Sequence, residues 1–200
     1  MMKKMPKKLP KETKAAIRNQ YQDLGVDAFY QEHGASYSNP HFSEIAKLLR
    51  QNESRINYSI AFDFCCGSGE VSRVLADLGY AHTEASDPFT QEAYQKNLGK
   101  TCYSYSFEDI IKKPLPKQYS CIICSFAMHL CPKGQLFPLV YHLFQSTQQL
   151  IIITPHKRPA LETLDGVSLK FEDFTLTKRR KKVRLKAYGA RFTQSNLLLG

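Results

Sequence analysis

The chain reads Ile60-Ala61-Phe62-Asp63-Phe64-Cys65-Cys66-Gly67-Ser68-Gly69-Glu70, and this stretch decides the fold. Its apolar run stops at a turn with two glycines, after which residues 71–78 have the spacing of an amphipathic helix. The pattern predicts the first strand, turn and helix of an α/β sheet. Because glycine has no Cβ, backbone N–H groups of such a turn can approach a bound molecule closely. We therefore expect a ligand at this turn, with the carboxylate of Asp63 near the end of the strand.

Position 72 separates two classes of ligand that such a turn binds. A dinucleotide fingerprint that starts at Gly67 requires a third glycine at position 72, and the chain has Ser72 there. An NAD-dependent oxidoreductase is therefore a disfavoured alternative. The pattern Asp-x-Cys-Cys-Gly-x-Gly instead resembles the first motif of the class I S-adenosylmethionine-dependent methyltransferases. The resemblance implies that Asp63 and the glycine turn flank the methionine part of that cofactor.

Length and composition predict one globular domain. The chain has 200 residues, of which 42% are apolar, and it contains no apolar run long enough for a transmembrane helix. The basic N-terminus lacks the apolar segment that a secretory signal would have behind it. We expect a cytoplasmic protein, with the nucleus as the alternative compartment.

The six cysteines are expected to be buried reduced thiols, and no metal site is predicted. Cys121 and Cys124 lie in an apolar run that predicts a buried strand. Residues three apart on a strand point to opposite faces, so these two side chains cannot share a metal. The same alternation separates Cys65 from Cys66.

Basic residues are concentrated at the two ends of the chain. The formal net charge is +10, residues 1–14 contain six lysines, and seven of the nine residues from Lys178 to Lys186 are basic. Such clusters attract polyanions, of which nucleic acid is the commonest. RNA contact through Lys178 to Lys186 is one expectation, and a frayed tail with a solvated hairpin is the other.

The order of elements predicts the fold class. Residues 1–12 are expected to be a basic flexible N-terminus, and residues 13–200 a single domain with a helical lid segment at 13–41 and a Rossmann-like core at 42–192. A plain surface connection is the alternative to a lid. Helices are predicted at 42–50, 71–78, 91–98 and 136–144. The apolar run at 60–64 is the first predicted strand, and further strands are predicted at 80–87, 101–107, 119–126 and 150–154. A hairpin of 168–176 and 183–192 follows them. This is an α/β three-layer sandwich with a mostly parallel seven-stranded sheet that ends in an antiparallel hairpin.

Acidic residues and histidines follow the ends of predicted strands, where the ligand crevice of an open α/β sheet lies. Asp87 lies 18 residues beyond Gly69, and at its strand end it can accept both hydroxyls of an adenosine ribose. Glu84, within the same strand, is the competitor for that role. His129 and His156 each follow a later strand, which makes them candidates for substrate contact.

The ordered set resembles the class I methyltransferase domain over about residues 42–192. The resemblance implies S-adenosylmethionine as cofactor and places Glu108 or Asp109 at the adenine amino group, with an apolar side chain over the ring. The implied cofactor-binding residues are Asp63, Cys65, Gly67, Ser68, Gly69, Asp87, Pro88, Phe107, Glu108, Asp109, Ser125 and Phe126. Two features depart from the family. Ser120 stands where many members have Asp, and no Asn-Pro-Pro-Tyr-type tetrapeptide follows the fourth strand, which disfavours methylation of a base amino group by that route.

The predicted activity is methyl transfer to an acceptor by in-line displacement, with small-molecule and RNA or protein acceptors both open. Because the donor carries its own activation, the protein mainly aligns the reactants and excludes water. For a hydroxyl or acidic carbon acceptor, His129 and His156 are the candidate general bases, and His33, Tyr37 and His41 rank second. The alternative from another class is a non-catalytic methyltransferase-like scaffold or RNA-binding module.

Overall fold

The computed structural model describes residues 39–191. In that range the helices, labelled in chain order, are α1 (Phe42–Gln51), α2 (Glu70–Asp77), α3 (Gln91–Leu98), α4 (Phe107–Lys112) and α5 (Lys133–Gln145). The strands are β1 (Ala61–Phe64), β2 (Thr83–Ser86), β3 (Cys121–Ser125), β4 (Leu150–Thr154), β5 (Val167–Leu176) and β6 (Lys182–Ala190). Short 3₁₀-helices cover Glu53–Arg55, Met128–Leu130 and Leu161–Thr163. The predicted flexible N-terminus and the predicted lid up to residue 38 lie outside the described residues.

The strands form one sheet in the order β2-β1-β3-β4-β6-β5. The first four strands in that order run parallel, whereas β6 is antiparallel to both β4 and β5. Strands β1, β3 and β4 are buried along their whole length. Covering on both faces explains why these strands have near-continuous apolar sequences instead of alternating ones. The predicted α/β sheet with a terminal antiparallel hairpin is therefore confirmed.

The described sheet has six strands, and the prediction of a seventh at 101–107 is wrong in its extent. Only Tyr103 pairs there, through a parallel bridge to Ser86. The segment ends early because Ser106 caps α4, its hydroxyl accepting the N–H of Asp109 while the Asp109 carboxylate accepts the N–H of Ser106. This capping box starts a helix at Phe107, where the sequence pattern predicted the end of a strand.

Alternating side chains divide the core between the two faces of the sheet. Phe62, Phe64 and Cys124 pack on the face covered by α5, and Ala61 and Cys121 pack on the other. The prediction that Cys121 and Cys124 point to opposite faces is thus confirmed. All six cysteines are free thiols, and Cys65 and Cys102 are only partly buried.

The two strands of the terminal hairpin are longer than the other strands of the sheet. Strand β5 has ten residues and is one of the two edge strands of the described sheet, with a register irregularity between Leu169 and Phe171. Among residues 39–191, no group of histidine, cysteine and acidic side chains is arranged to hold a metal ion. None of the helices in that range has the length and apolar character needed to cross a bilayer.

Candidate cofactor-binding site

The turn after β1 has a backbone that favours small residues. Cys65 (φ 57°), Gly67 (φ 55°) and Gly69 (φ 92°) all lie in the left-handed region. Gly69 is the N-cap of α2, and its N–H donates to the carbonyl of Cys66. The turn is therefore tight, and residues 65–69 bring backbone rather than side chains to the carboxyl edge of the sheet.

Asp63 lies beneath this turn and holds the start of α2. Its Oδ2 accepts the N–H of Ser72 at 3.0 Å and the hydroxyl of Ser72 at 2.7 Å, and Tyr94 in turn donates to that hydroxyl. The other carboxylate oxygen, Oδ1, is buried without a partner in the described structure. Burial raises the pKa of Asp63 to about 7, against the hydrogen bonds from Ser72, which lower it. Ser72 thus has a structural task at the position where a dinucleotide site needs glycine.

Asp87 directly follows β2 and lies beside the glycine turn. Its carboxylate accepts backbone N–H groups from Gly67 (3.2 Å), Phe89 (2.9 Å) and Thr90 (3.1 Å). Burial nevertheless raises the pKa of Asp87, because desolvation outweighs these hydrogen bonds. The competitor Glu84 accepts hydrogen bonds from Lys117 and from the Tyr119 hydroxyl, and it does not line the site.

A cavity of about 510 Å³ opens along the carboxyl ends of β2, β1 and β3. Eight predicted residues line it, namely Cys65, Gly67, Asp87, Pro88, Phe107, Glu108, Ser125 and Phe126. Four predicted residues do not: Asp63 and Ser68 are buried, Gly69 starts α2, and Asp109 caps α4. The volume falls within the range of small-molecule sites.

The structure separates Glu108 from Asp109, which spacing alone left equivalent. Asp109 is engaged by the N–H and hydroxyl of Ser106, and these hydrogen bonds lower the pKa of its carboxyl. Glu108 is exposed and lines the cavity, with Lys112 at 3.9 Å as an i,i+4 neighbour on the surface of α4. Of these two residues, only Glu108 lines the cavity.

The two predicted histidines come together beside the cavity. His129, in the 3₁₀-helix after β3, and His156, after β4, have ring centroids 4.4 Å apart. Neither lines the cavity, but Ala127 and Leu130, on either side of His129, do. The second-rank candidate His41 stacks on Phe126 at 4.9 Å, whereas His33 and Tyr37 lie outside the described residues.

Six further residues line the cavity that the sequence did not single out: Phe89, Ser106, Ala127, Leu130, Pro132 and Gln135. Phe89 could have been found from the sequence, since it lies two residues after Asp87 at the end of the second predicted strand. Pro132 and Gln135 carried none, because the bend that brings the start of α5 over the cavity has no local sequence signature. The cavity wall thus depends partly on long-range packing.

The chemistry of the lining distinguishes between cofactor classes. Two carboxylates, from Asp87 and Glu108, face the cavity together with the rings of Phe89, Phe107 and Phe126. No lysine, arginine or histidine is among the lining residues that the structure describes. A pyrophosphate or triphosphate would meet two like charges and no cation there. An aromatic, cationic ligand with a diol would meet a complementary surface.

Comparison with known proteins agrees with this geometry. No protein-family model matches the chain. The uncharacterized protein C17A5.05c of Schizosaccharomyces pombe is 30% identical, over 74% of this chain and 77% of that protein. Magnesium protoporphyrin IX methyltransferase from Synechocystis PCC 6803, crystallised with bound SAM, has 19% identity and a TM-score of 0.55 over 87% of this chain and 95% of that one. The N-methyltransferase NodS from Bradyrhizobium japonicum WM9, in complex with S-adenosyl-L-homocysteine, has 12% identity and a TM-score of 0.58 over 87% and 100%. At these identities the structures establish a shared fold.

Proposed function

We propose that this chain, which belongs to the same family as protein C17A5.05c of Schizosaccharomyces pombe and has the class I methyltransferase fold, is an S-adenosylmethionine-dependent methyltransferase. The observation that carries the proposal is the cavity beside the glycine turn, lined by carboxylates and aromatic rings without a basic side chain. Sulfonium and ammonium groups are the charges that such a lining accepts. The structural relatives with bound SAM or S-adenosyl-L-homocysteine support the same ligand class.

The residues present fit this cofactor. Asp87 would accept the ribose hydroxyls, Glu108 would accept the adenine amino group, and Phe107 would cover the base. Gly67 and Ser125 would line the methionine side through their backbone. Below them, the buried and unpartnered Oδ1 of Asp63 is an acceptor that suits a nearby ammonium group. When bound, the cofactor supplies a methyl group already activated on sulfur.

The protein's own contribution would be alignment and proton removal. His129 and His156 lie next to the Ala127–Leu130 wall of the cavity, so a nucleophile held between them and the cavity would be close to a base. For a hydroxyl or acidic carbon acceptor, a positioned imidazole contributes about 10²- to 10⁴-fold in rate. Apolar lining residues such as Leu130 would exclude water from the reacting atoms.

The alternative is a binding scaffold that keeps the fold without activity. The lining favours a cofactor site, because Asp87 is a buried carboxylate whose desolvation is costly and Glu108 adds a second negative charge to the wall of the same cavity. An NAD-dependent oxidoreductase is disfavoured by the same carboxylates and by Ser72. Free thiols fit a reducing compartment, and we propose the cytoplasm or the nucleus.

Isothermal titration calorimetry with S-adenosylmethionine tests the proposal, with NAD⁺ as the competing ligand. We expect S-adenosylmethionine alone to bind and Glu108→Gln to weaken it. Glu92→Gln is the matched control, because Glu92 is also exposed at the second position of a helix but does not line the cavity. Absence of binding by the unmodified chain would favour the scaffold. Incubation with methyl-labelled cofactor and fractionated cell extract then shows whether label enters RNA, protein or small metabolites.

A further inference from the structure

The tip of the terminal hairpin, residues 177–182, is a cluster of unpaired positive charge. Residues 178–182 are all basic and all exposed. Within residues 39–191 none of the five forms an ion pair, whereas Arg184 and Lys186, further along β6, pair with Glu172 and Glu162. The tip is therefore a concentrated positive surface that nothing in the described chain neutralises.

The register of the sheet puts this tip on the same edge as the cavity. Arg184 pairs with Thr154, the last residue of β4, and strand β6 runs antiparallel to β4. Residues 177–182 therefore project beyond the carboxyl end of β4. The tip lies four residues before Arg184, which corresponds to about 13 Å of extended chain. His156 also lies at the carboxyl end of β4, since its backbone N–H donates to the hydroxyl of Thr154.

The carboxyl edge thus carries a sequence of sites across the sheet. The cavity lies over β2, β1 and β3, and the histidine pair follows β3 and β4. The basic tip comes next, over β6 and β5. A molecule held by the tip would reach the cavity by way of His129 and His156.

The hairpin also presents apolar surface beside its charges. Phe174 and Leu176, each 46% exposed, lie opposite Arg184 and Lys182, and cross-strand partners share a face. The ammonium of Lys182 lies 4.1 Å from the centroid of the Phe174 ring. An exposed ring with a lysine ammonium beside it can contact a base and its phosphate at once.

We infer that the hairpin tip and the Phe174 face bind a single-stranded nucleic acid and hold its reactive group toward His129 and His156. The inference rests on the proposed methyltransferase function and names the class of acceptor. Charge alone would suit any polyanion, but the exposed ring favours unpaired bases, because the bases of a duplex are stacked on one another and cannot lie on a side chain. An acidic protein acceptor would use the charges and have no need of the ring.

Fluorescence anisotropy with a labelled 12-nucleotide single-stranded RNA tests the inference, beside the same sequence as DNA and as duplex RNA. With four phosphate contacts, we expect affinity for the single strand to fall about 50-fold between 50 and 200 mM KCl. The two single-stranded arms show whether RNA or DNA is preferred. No binding of either strand, or equal binding of the duplex, would overturn the inference.

Two variants with matched controls locate the surface. Lys178→Gln/Arg179→Gln/Lys181→Gln should reduce the log–log salt slope by about 2, whereas three exposed lysines elsewhere, changed together as Lys47→Gln/Lys96→Gln/Lys100→Gln, should leave it unchanged. Phe174→Ala should weaken binding about tenfold without changing the slope, through the loss of a stacked base. Phe137→Ala, at a ring that is 45% exposed on α5, should have no effect.

Calorimetry with S-adenosylmethionine on the same variants separates this inference from the proposed function. The tip and Phe174 variants should bind the cofactor as the unmodified chain does. If cofactor binds and the oligonucleotide does not, the nucleic-acid inference fails and the methyltransferase proposal stands. If poly-glutamate displaces the RNA equally well and Phe174→Ala changes nothing, the surface is a general anion site and the inference is wrong.

Discussion

Asp63→Asn should remove a pH dependence of stability that the buried carboxyl creates. Asp63 is completely buried, one oxygen accepts two hydrogen bonds from Ser72, and the other has no partner in the described structure. The substitution keeps an oxygen for Ser72 and eliminates the titration. It also leaves a buried amide N–H₂ at the Oδ1 position, which costs about 1 to 3 kcal/mol at every pH. The informative quantity is therefore the change of stability with pH, not its value at one pH.

The sign follows from the raised pKa. The pKa of Asp63 is about 7 in the folded chain against 3.8 for an ordinary aspartate. Between these values the folded chain holds a proton that the unfolded chain has released, so the stabilisation is complete below pH 3.8 and is lost as the pH rises through 7. From pH 5 to pH 7 the unmodified chain should lose about 2 kcal/mol through this group. Asp63→Asn should lose none of it.

Urea unfolding at pH 5 and pH 7 gives the change in unfolding free energy between the two pH values for each chain. The effect of Asp63 is the difference between the change in the unmodified chain and the change in Asp63→Asn. Groups that titrate in both chains and lie far from Asp63 cancel. Asp109→Asn is the control, because the Ser106 hydrogen bonds lower the pKa of Asp109 and keep its carboxylate ionised above pH 5. Parallel pH dependences for the unmodified chain and Asp63→Asn would refute the reasoning, since they would show that Asp63 does not change its charge in this interval.

Three further outcomes are expected. Gly69→Ala should destabilise the fold by about 1 to 3 kcal/mol more than Gly79→Ala in urea unfolding, because both glycines have φ near +90° but only the Cβ at Gly69 would collide with side chains of α3; equal losses would show that the turn has room. Glu84→Gln should leave calorimetric affinity for S-adenosylmethionine unchanged, since Glu84 bonds Lys117 and Tyr119 outside the cavity, and weaker cofactor binding would contradict that placement. His129→Gln should lower kcat about 10²- to 10⁴-fold with cofactor affinity intact once an acceptor is known, and an unchanged kcat would remove His129 from the proton path.

Local sequence was sufficient where one short pattern determines one structure. The run into the glycine turn predicted β1, the turn and α2, and the spacing to Asp87 placed a carboxylate at the next strand end, where it now lines the cavity. The alternation argument for Cys121 and Cys124 also held, because a buried strand leaves no other geometry. These features depend on short local patterns or on the regular length of one helix and one strand.

Sequence was insufficient where two local signals compete or where contacts are distant. At residues 101–107 a strand was predicted, but the capping box of Ser106 and Asp109 starts a helix at Phe107, and Glu108 in its first turn lines the cavity. The position of Asp63 below the cavity depends on Ser72, nine residues away, and the meeting of His129 with His156 depends on two separate strands. Such distances are set by packing and not by spacing.

The irregular register at Leu169 and Phe171 has a consequence for self-association. An outer strand of ten residues offers unpaired N–H and C=O groups to which a second molecule could add its own strand. The bulge breaks that row near its middle, Lys170 is exposed there, and the guanidinium of Arg55 lies 3.6 Å from the Phe171 ring. The hairpin can thus expose apolar side chains for binding, while its edge strand is protected from pairing with the edge strand of a second copy.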